Sequence, residues 1–318
     1  MKAEIEADNS ISYSAIVLLE ETDDGLAPLV KTLNEVFTSR GACFEIIIVA
    51  NGTGEFLRKE LGNLQCSKNV VKAVELSGKA SPASYLKAGF EESRGEIIVL
   101  CGSHQQITKE SLIHLIDSLD ESSDIINSWR QERLDSSFNQ FQSRVFNSLV
   151  RRITKSGLHD LSAAIKIFRR QVLDETELYG NMHRFLPIVA ERKGFKTKEV
   201  GCTHYQWRGR TGPCGFSEYV ERISDIVTLY FITRFASKPL RFFSLVGAAF
   251  LAVGLSISCW VFMGKLFLGY PIGDRPILLV SVFLMVVGVQ VGSMGLLGEI
   301  IAFTHGRHKP HYTIEKSI

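Results

Sequence analysis

The sequence predicts an α/β protein with a mostly parallel sheet, followed by two membrane-spanning helices. Two observations carry this expectation. Buried-type strands alternate with helix-length amphipathic segments from residue 14 to about residue 129. Further on, two stretches, 242–264 and 276–298, contain no charged residue.

The first strand is Ser-Ala-Ile-Val-Leu-Leu at 14–19, and a helix over 26–39 follows with Leu26, Leu29, Val30, Leu33, Val36 and Phe37 at helical spacing. A second strand at 44–49 ends in the turn signal Ala50, Asn51, Gly52, Thr53. A helix at 55–64, a strand at 70–76 and a helix at 83–93 continue the alternation. The strand at 96–100 runs into a polar cluster, Cys101, Gly102, Ser103, His104, Gln105 and Gln106. Open α/β sheets place their ligands at such carboxyl ends, so this strand is the candidate centre of the protein.

Thr108 is placed to cap a helix reaching residue 119, and 124–129 is a further strand. Over 138–153, Phe138, Phe141, Val145, Phe146, Leu149, Val150 and Ile153 form an apolar stripe flanked by Arg144, Arg151 and Arg152. Such a helix either packs on the core or lies in a membrane interface. The segment 219–235 leads directly into the first uncharged stretch, which favours the interfacial reading there.

Each uncharged stretch matches the ~20 residues needed to span a bilayer at ~1.5 Å rise per residue. Arg234, Lys238 and Arg241 precede the first, while Arg307, Lys309 and Lys316 follow the second. The connecting loop, 265–275, carries only Lys265 and Arg275 against Asp274. The positive-inside bias then puts both ends and the preceding domain in the cytoplasm. The acidic first residues lack an apolar segment, so no cleavable signal is expected. Gly288, Gln290, Gly292, Ser293 and Gly295 read as helix-packing positions, suited to a homo-oligomer. Glu299 is the one charge at the edge of a span, which leaves no visible path for a channel or transporter.

Composition narrows the partners. The net charge of +2 gives no electrostatic case for nucleic acid. Six scattered cysteines with no CxxC pair fit a reducing compartment rather than a disulfide framework.

Three motifs then carry a resemblance: Ser-Gly-Leu-His-Asp at 156–160, Ile-Lys-Ile-Phe-Arg-Arg at 165–170 and Met-His-Arg-Phe-Leu-Pro at 182–187. With them the chain resembles the family-2 glycosyltransferases, in the polyprenyl-phosphate branch similar to dolichol-phosphate mannose and glucose synthases. Trp-Arg-Gln-Glu-Arg-Leu-Asp at 129–135, His204, Arg-Thr-Gly at 210–212, Lys-Pro-Leu at 238–240, Gly-Leu-Leu-Gly-Glu at 295–299 and Tyr-Thr-Ile at 312–314 match in the same order. The resemblance implies a GT-A fold and transfer of a sugar from a nucleotide-diphosphate donor to a polyprenyl phosphate at the cytoplasmic membrane surface. It divides the chain into a transferase domain at 1–216, a juxtamembrane amphipathic helix at 217–238, a two-helix anchor at 239–304 and a tail at 305–318.

The acceptor in such a reaction is a phosphate, already anionic at neutral pH, so no strong general base is required. The departing diphosphate develops negative charge, normally met by Mg²⁺ or Mn²⁺ held by carboxylates. The donor side of the resemblance falls on Ala50, Asn51, Gly52, Lys79, Cys101, Ser103, His104 and Gln105. Ala50 and Asn51 stand where acidic residues are expected, and Cys101-Gly102-Ser103 stands in place of an Asp-x-Asp metal motif. No metal ligand set and no other cofactor is therefore predicted, although the family uses a divalent cation. Asp23 and Asp24, after the first strand, are the other carboxylates that the loop order brings towards this edge. The acceptor phosphate falls to Arg130, Arg133, Asp160, Lys166, Arg184 and Arg210, accompanied by His159 and His204. Arg130, Arg133 and Lys166 are the candidates for catalysis, and Lys79 with Arg130 and Arg133 are the cations available to replace a metal. The alternative is a non-catalytic relative that keeps the fold, the anchor and lipid-phosphate binding.

Overall fold

The computed structural model describes residues 11–19, 25–51, 70–76, 80–130, 148, 150, 151, 154, 157–160, 163, 165–178, 180–205, 224, 228, 239–268 and 276–306. The chain divides into two compact units, Met1–Leu229 and Tyr230–Ile318.

In the first unit the elements are β1 (Tyr13–Leu19), α1 (Leu26–Ser39), β2 (Phe44–Asn51), β3 (Val71–Leu76), α2 (Pro82–Glu92), β4 (Ile97–Cys101), α3 (Lys109–Asp117) and β5 (Ile125–Arg130). They continue with β6 (Lys166–Arg169), α4 (Arg170–Glu175), a 3-10 turn (Met182–Phe185), α5 (Leu186–Glu191) and β7 (Thr197–Cys202). The strands form one seven-stranded sheet in the order β3-β2-β1-β4-β6-β5-β7. All pairs are parallel except those of β6, which runs against both β4 and β5.

Strands β1, β2 and β4 are apolar runs because both sheet faces are covered. On one face Ala15, Val17, Ile48 and Val99 pack against Leu29, Leu33, Val36 and Phe37 of α1 and Leu112 and Leu115 of α3. On the other, Ile16, Ile47, Ile98, Leu100 and Phe168 meet Leu86 of α2 and Leu186 and Ala190 of α5. The α1 boundaries match the spacing of its apolar residues. Thr108 caps α3 as expected, its hydroxyl accepting from the Ser111 N–H at 3.3 Å, but that helix ends at Asp117. Gly95 has a steric reason: a Cβ there would sit 2.6 Å from backbone atoms of Tyr13 and Ser14.

The helices expected at 55–64, 138–153 and 219–235 lie outside the described residues except at isolated positions. One of these is Val150, fully buried with Leu158, Phe185 and Ile188, which is core packing rather than interfacial exposure at that position.

The second unit is a helical hairpin of α6 (Pro239–Leu268) and α7 (Pro276–Gly306). Both helices are long and apolar enough to cross a membrane, over Pro239–Phe267 and Pro276–Ile301. Their contact is made by glycines. A Cβ on Gly247 would lie 2.6 Å from the Gly288 carbonyl oxygen, and one on Gly288 would lie 2.7 Å from that of Gly247. Gly254 and Gly295 are equally tight, against Met285 and Ser281 and against Phe243. Gly288 and Gly295 of the α7 stripe are therefore occupied by the chain's own first helix, and Gly292 has open space beside it. The Glu299 carboxylate accepts from the Leu240 N–H at 3.3 Å and so caps the first turn of α6 from the neighbouring helix.

Candidate functional site

Because β6 runs against its neighbours, its first residue meets the carboxyl end of β4 and the middle of β5. The ladder register lays Leu100, Lys166, Asn127 and Glu199 in one row across β4, β6, β5 and β7. Registered neighbours share a sheet face. An ammonium, a carboxamide and a carboxylate thus stand side by side just inside the edge where the chain was expected to bind phosphate.

Lys166 is 2 % exposed, and its Nζ donates to the Ala163 carbonyl. Among the described residues no carboxylate lies within ion-pair distance of it. Burial pushes its pKa down to about 7; Arg130 and Arg184 add to that shift and Asp160 opposes it. His183 belongs to the same environment. Its burial, then the charges of Arg184 and Lys166, press its pKa down to about 3, so the imidazole is neutral.

Arg130, the last residue of β5, makes a two-point ion pair with Asp160: Nε to Oδ2 at 2.8 Å and Nη2 to Oδ1 at 3.2 Å. Both side chains are buried. The third guanidinium nitrogen donates to Gln106 Oε1 at 3.3 Å, which ties the pair to the loop after β4. Asp160 is itself held through its backbone. Its N–H donates to Glu199 Oε1 at 2.9 Å, and its carbonyl accepts from Asn127 Nδ2 at 2.8 Å. The Glu199 carboxylate also accepts from the His159 N–H and stands 2.9 Å from His159 Nδ1, while the His159 ring stacks on Trp129 at 4.5 Å.

The structure therefore gathers Arg130, Asp160, Lys166 and Arg184 from the expected acceptor side. Arg133 and Arg210 lie outside the described residues, as do Gly52 and Lys79 on the donor side and Asp23 and Asp24. The other donor-side positions lie among the described residues. Ala50 is fully buried in β2, and Asn51 is the last residue of that strand. The Gln105 carboxamide accepts from Thr32 at 3.2 Å and donates to the Ile107 carbonyl at 3.0 Å, which fixes the loop to α1. Ser103 Oγ lies 3.3 Å from His104 Nδ1. His204 pairs with Ile107 in an isolated antiparallel bridge that carries the chain after β7 alongside this loop.

Mg²⁺ and Mn²⁺ are held by hard oxygen ligands, usually carboxylates. At the β4 tip Cys101 is 1 % exposed, and burial pushes its thiol up to about 12, so it is a neutral thiol. Asp160 is engaged by Arg130. Among the described residues no group of three His, Cys, Asp or Glu is arranged to hold a metal ion. These residues do not fit a divalent cation. Glu199 and Asn127 escaped the sequence reading, because only strand register reveals what they hold.

Comparison with known proteins agrees with this architecture. Residues 20–176 match the family Glycosyl transferase family 2. The chain is 27% identical to a dodecaprenyl-phosphate galacturonate synthase of Rhizobium johnstonii over 96% of this chain and 93% of that one. It is 26% identical to an undecaprenyl-phosphate 4-deoxy-4-formamido-L-arabinose transferase of Pseudomonas aeruginosa over 96% and 90%. Among solved structures, glucosyl-3-phosphoglycerate synthase from Mycobacterium tuberculosis, in complex with Mn²⁺, uridine diphosphate and phosphoglyceric acid, superposes with a TM-score of 0.53 at 9% identity. That likeness covers 70% of this chain and 78% of that one. Residues 20–176 are a family-2 glycosyltransferase domain on a GT-A fold, in a chain that continues into two apolar helices long enough to cross a membrane.

Proposed function

We propose that this chain transfers a sugar from a nucleotide-diphosphate donor to the phosphate of a polyprenyl phosphate at a membrane surface. The observation that carries the reading is the buried Arg130–Asp160–Lys166 group at the ligand-binding edge of the sheet. Cations in that position hold and orient an anionic acceptor next to the sugar carbon, and little else is asked of the protein once the nucleophile is already ionised. The relatives that share nearly the whole length of the chain, apolar helices included, are named for sugar transfer to dodecaprenyl or undecaprenyl phosphate.

On the donor side we propose that no divalent cation takes part. The charge of the departing diphosphate is then met by side-chain cations, Lys166 with Arg130 and the undescribed Arg133 and Lys79. The basic residues flanking the hairpin support a cytoplasmic side for the first unit and both chain ends. Of the α7 packing positions, Gly288 and Gly295 are occupied within the hairpin, which leaves Gln290, Gly292 and Ser293 for a contact between copies of the chain.

The test is transfer to farnesyl phosphate by purified protein in detergent, with UDP-, GDP- and CDP-linked sugars, in EDTA or in Mn²⁺. Turnover that persists in EDTA is the expected result. No turnover with any donor under either condition would remove the catalytic reading.

A second reading is favoured by one specific observation: the tips of β2 and β4 both lack the acidic residues of the family. On that reading the chain binds lipid phosphate without catalysis and acts beside an active transferase. Farnesyl phosphate binding in the absence of any nucleotide-sugar binding would select it.

A further inference from the structure

The carboxylate of Glu199 receives more bonds than its place in a strand requires. Oε1 accepts from the backbone N–H groups of His159 and Asp160, both at 2.9 Å, and from Asn127 Nδ2 at 3.3 Å. Oε2 accepts from the His159 N–H at 2.8 Å and stands 2.9 Å from the imidazole Nδ1. Asn127 is the register partner of Glu199, and its Nδ2 also reaches the Asp160 carbonyl at 2.8 Å. The peptide groups on both sides of the Asp160 Cα are therefore fixed by two neighbouring residues of the sheet.

A short turn with two adjacent N–H groups aimed at one carboxylate, its side chain 9% exposed, has little freedom, since charge-assisted bonds of this kind are strong and directional. The residue so fixed is the one whose carboxylate holds Arg130 at two points. We infer that Glu199, together with Asn127, is a positioning residue that sets the Arg130 guanidinium for an anionic ligand by way of Asp160. The inference rests on the lipid-phosphate reading for the identity of that ligand. It concerns a residue more than 65 positions away in sequence from the arginine it controls.

The experiment is a coupling cycle on the full-length protein in detergent, with farnesyl phosphate as the probe. Glu199→Ala weakens binding about tenfold, and Arg130→Ala weakens it at least as much. The double variant binds no worse than Arg130→Ala alone, because Glu199 acts only through that arginine. Glu199→Gln keeps one acceptor oxygen for the two N–H groups and recovers most of the loss. It also serves as the measured variant should the alanine protein fail to fold. Additive losses in the cycle, or full affinity in both Glu199 variants, would overturn the inference.

A second arm needs no ligand. Replacing Trp207 and Trp260 by Phe leaves Trp129 as the sole tryptophan, stacked on the His159 ring that Glu199 holds. Glu199→Ala releases that ring and shifts the Trp129 emission, and an unchanged spectrum counts against the positioning role. Failure of the parent protein to bind farnesyl phosphate would sink the lipid reading, and the emission arm alone then decides the role of Glu199.

Discussion

Lys166 and Asn127 are register partners across β6 and β5, and both keep unused hydrogen-bonding capacity inside the sheet. The Lys166 ammonium has the Ala163 carbonyl as its acceptor, and among the described residues Asn127 Oδ1 has no partner at all. Buried polar groups are normally satisfied, and adjacent exceptions in a strand-edge row mark a place arranged for something other than its own stability.

Lys166 should show this in the pH dependence of folding. Its pKa is pushed down to about 7 in the folded protein against 10.5 for an ordinary lysine. Below about pH 7 both states are protonated, and the full cost of burying the charge is present. Between about pH 7 and pH 10.5 the unfolded chain binds more protons than the folded one, so stability rises with pH. Lys166→Met removes that slope. The variant should unfold at a higher temperature than the parent at pH 6.5, with the advantage shrinking towards pH 9.5. Its sugar transfer should fall about 100-fold, the usual effect of losing a charge-stabilising donor. A pH-independent difference in unfolding temperature would mean that the lysine is not buried as described.

The Arg130–Asp160 pair makes the opposite prediction for stability. Both side chains are less than a tenth exposed, so removing one partner strands a charge. Asp160→Ala should cost about 3–5 kcal/mol in denaturant unfolding, whereas a paired Arg130→Met, Asp160→Leu replacement should cost much less. Equal losses in the two proteins would place the pair in water rather than in the core.

These two predictions concern residues that the sequence could nominate. Arg130, Asp160 and Lys166 stand in motifs, and the alternation of strands and helices around Ile97–Cys101 was readable from apolar runs with period-matched helices. Glu199 was not readable. Thr-Lys-Glu-Val-Gly-Cys alternates like any half-exposed strand, and its partners come from loops about 40 and strands about 70 residues away. The antiparallel insertion of β6 was equally hidden, because a four-residue strand carries no direction in its sequence. The β4 tip was legible as an absence of carboxylates. That Cys101 lies inside the strand, sealed from solvent, was not.

The hairpin glycines give a prediction for the second unit. Gly288→Val puts methyl groups where the Gly247 carbonyl oxygen and Leu251 already are, with a Cβ 2.7 Å from that oxygen. The helices must separate, at a cost of about 1–3 kcal/mol. Thermal unfolding in detergent should register the loss for Gly288→Val and for Gly247→Val. Gly292→Val, beside open space, should be nearly neutral to it.

The β4 tip supplies the test of whether its missing metal site is merely a matter of side chains. Cys101 packs with Val99, Ile126, Ile167 and Cys202 in a closed apolar cluster. A carboxylate placed there loses its water, so its pKa is raised above that of the unfolded chain. With the folded pKa raised, stability present at low pH is lost as pH climbs through it. Cys101→Asp should therefore unfold at a clearly lower temperature at pH 8 than at pH 5, and millimolar Mg²⁺ should not restore it. If Mg²⁺ instead raises the unfolding temperature of Cys101→Asp at pH 8, the edge still holds the other ligands of a cation site. Metal-free handling of the donor would then be wrong for this chain.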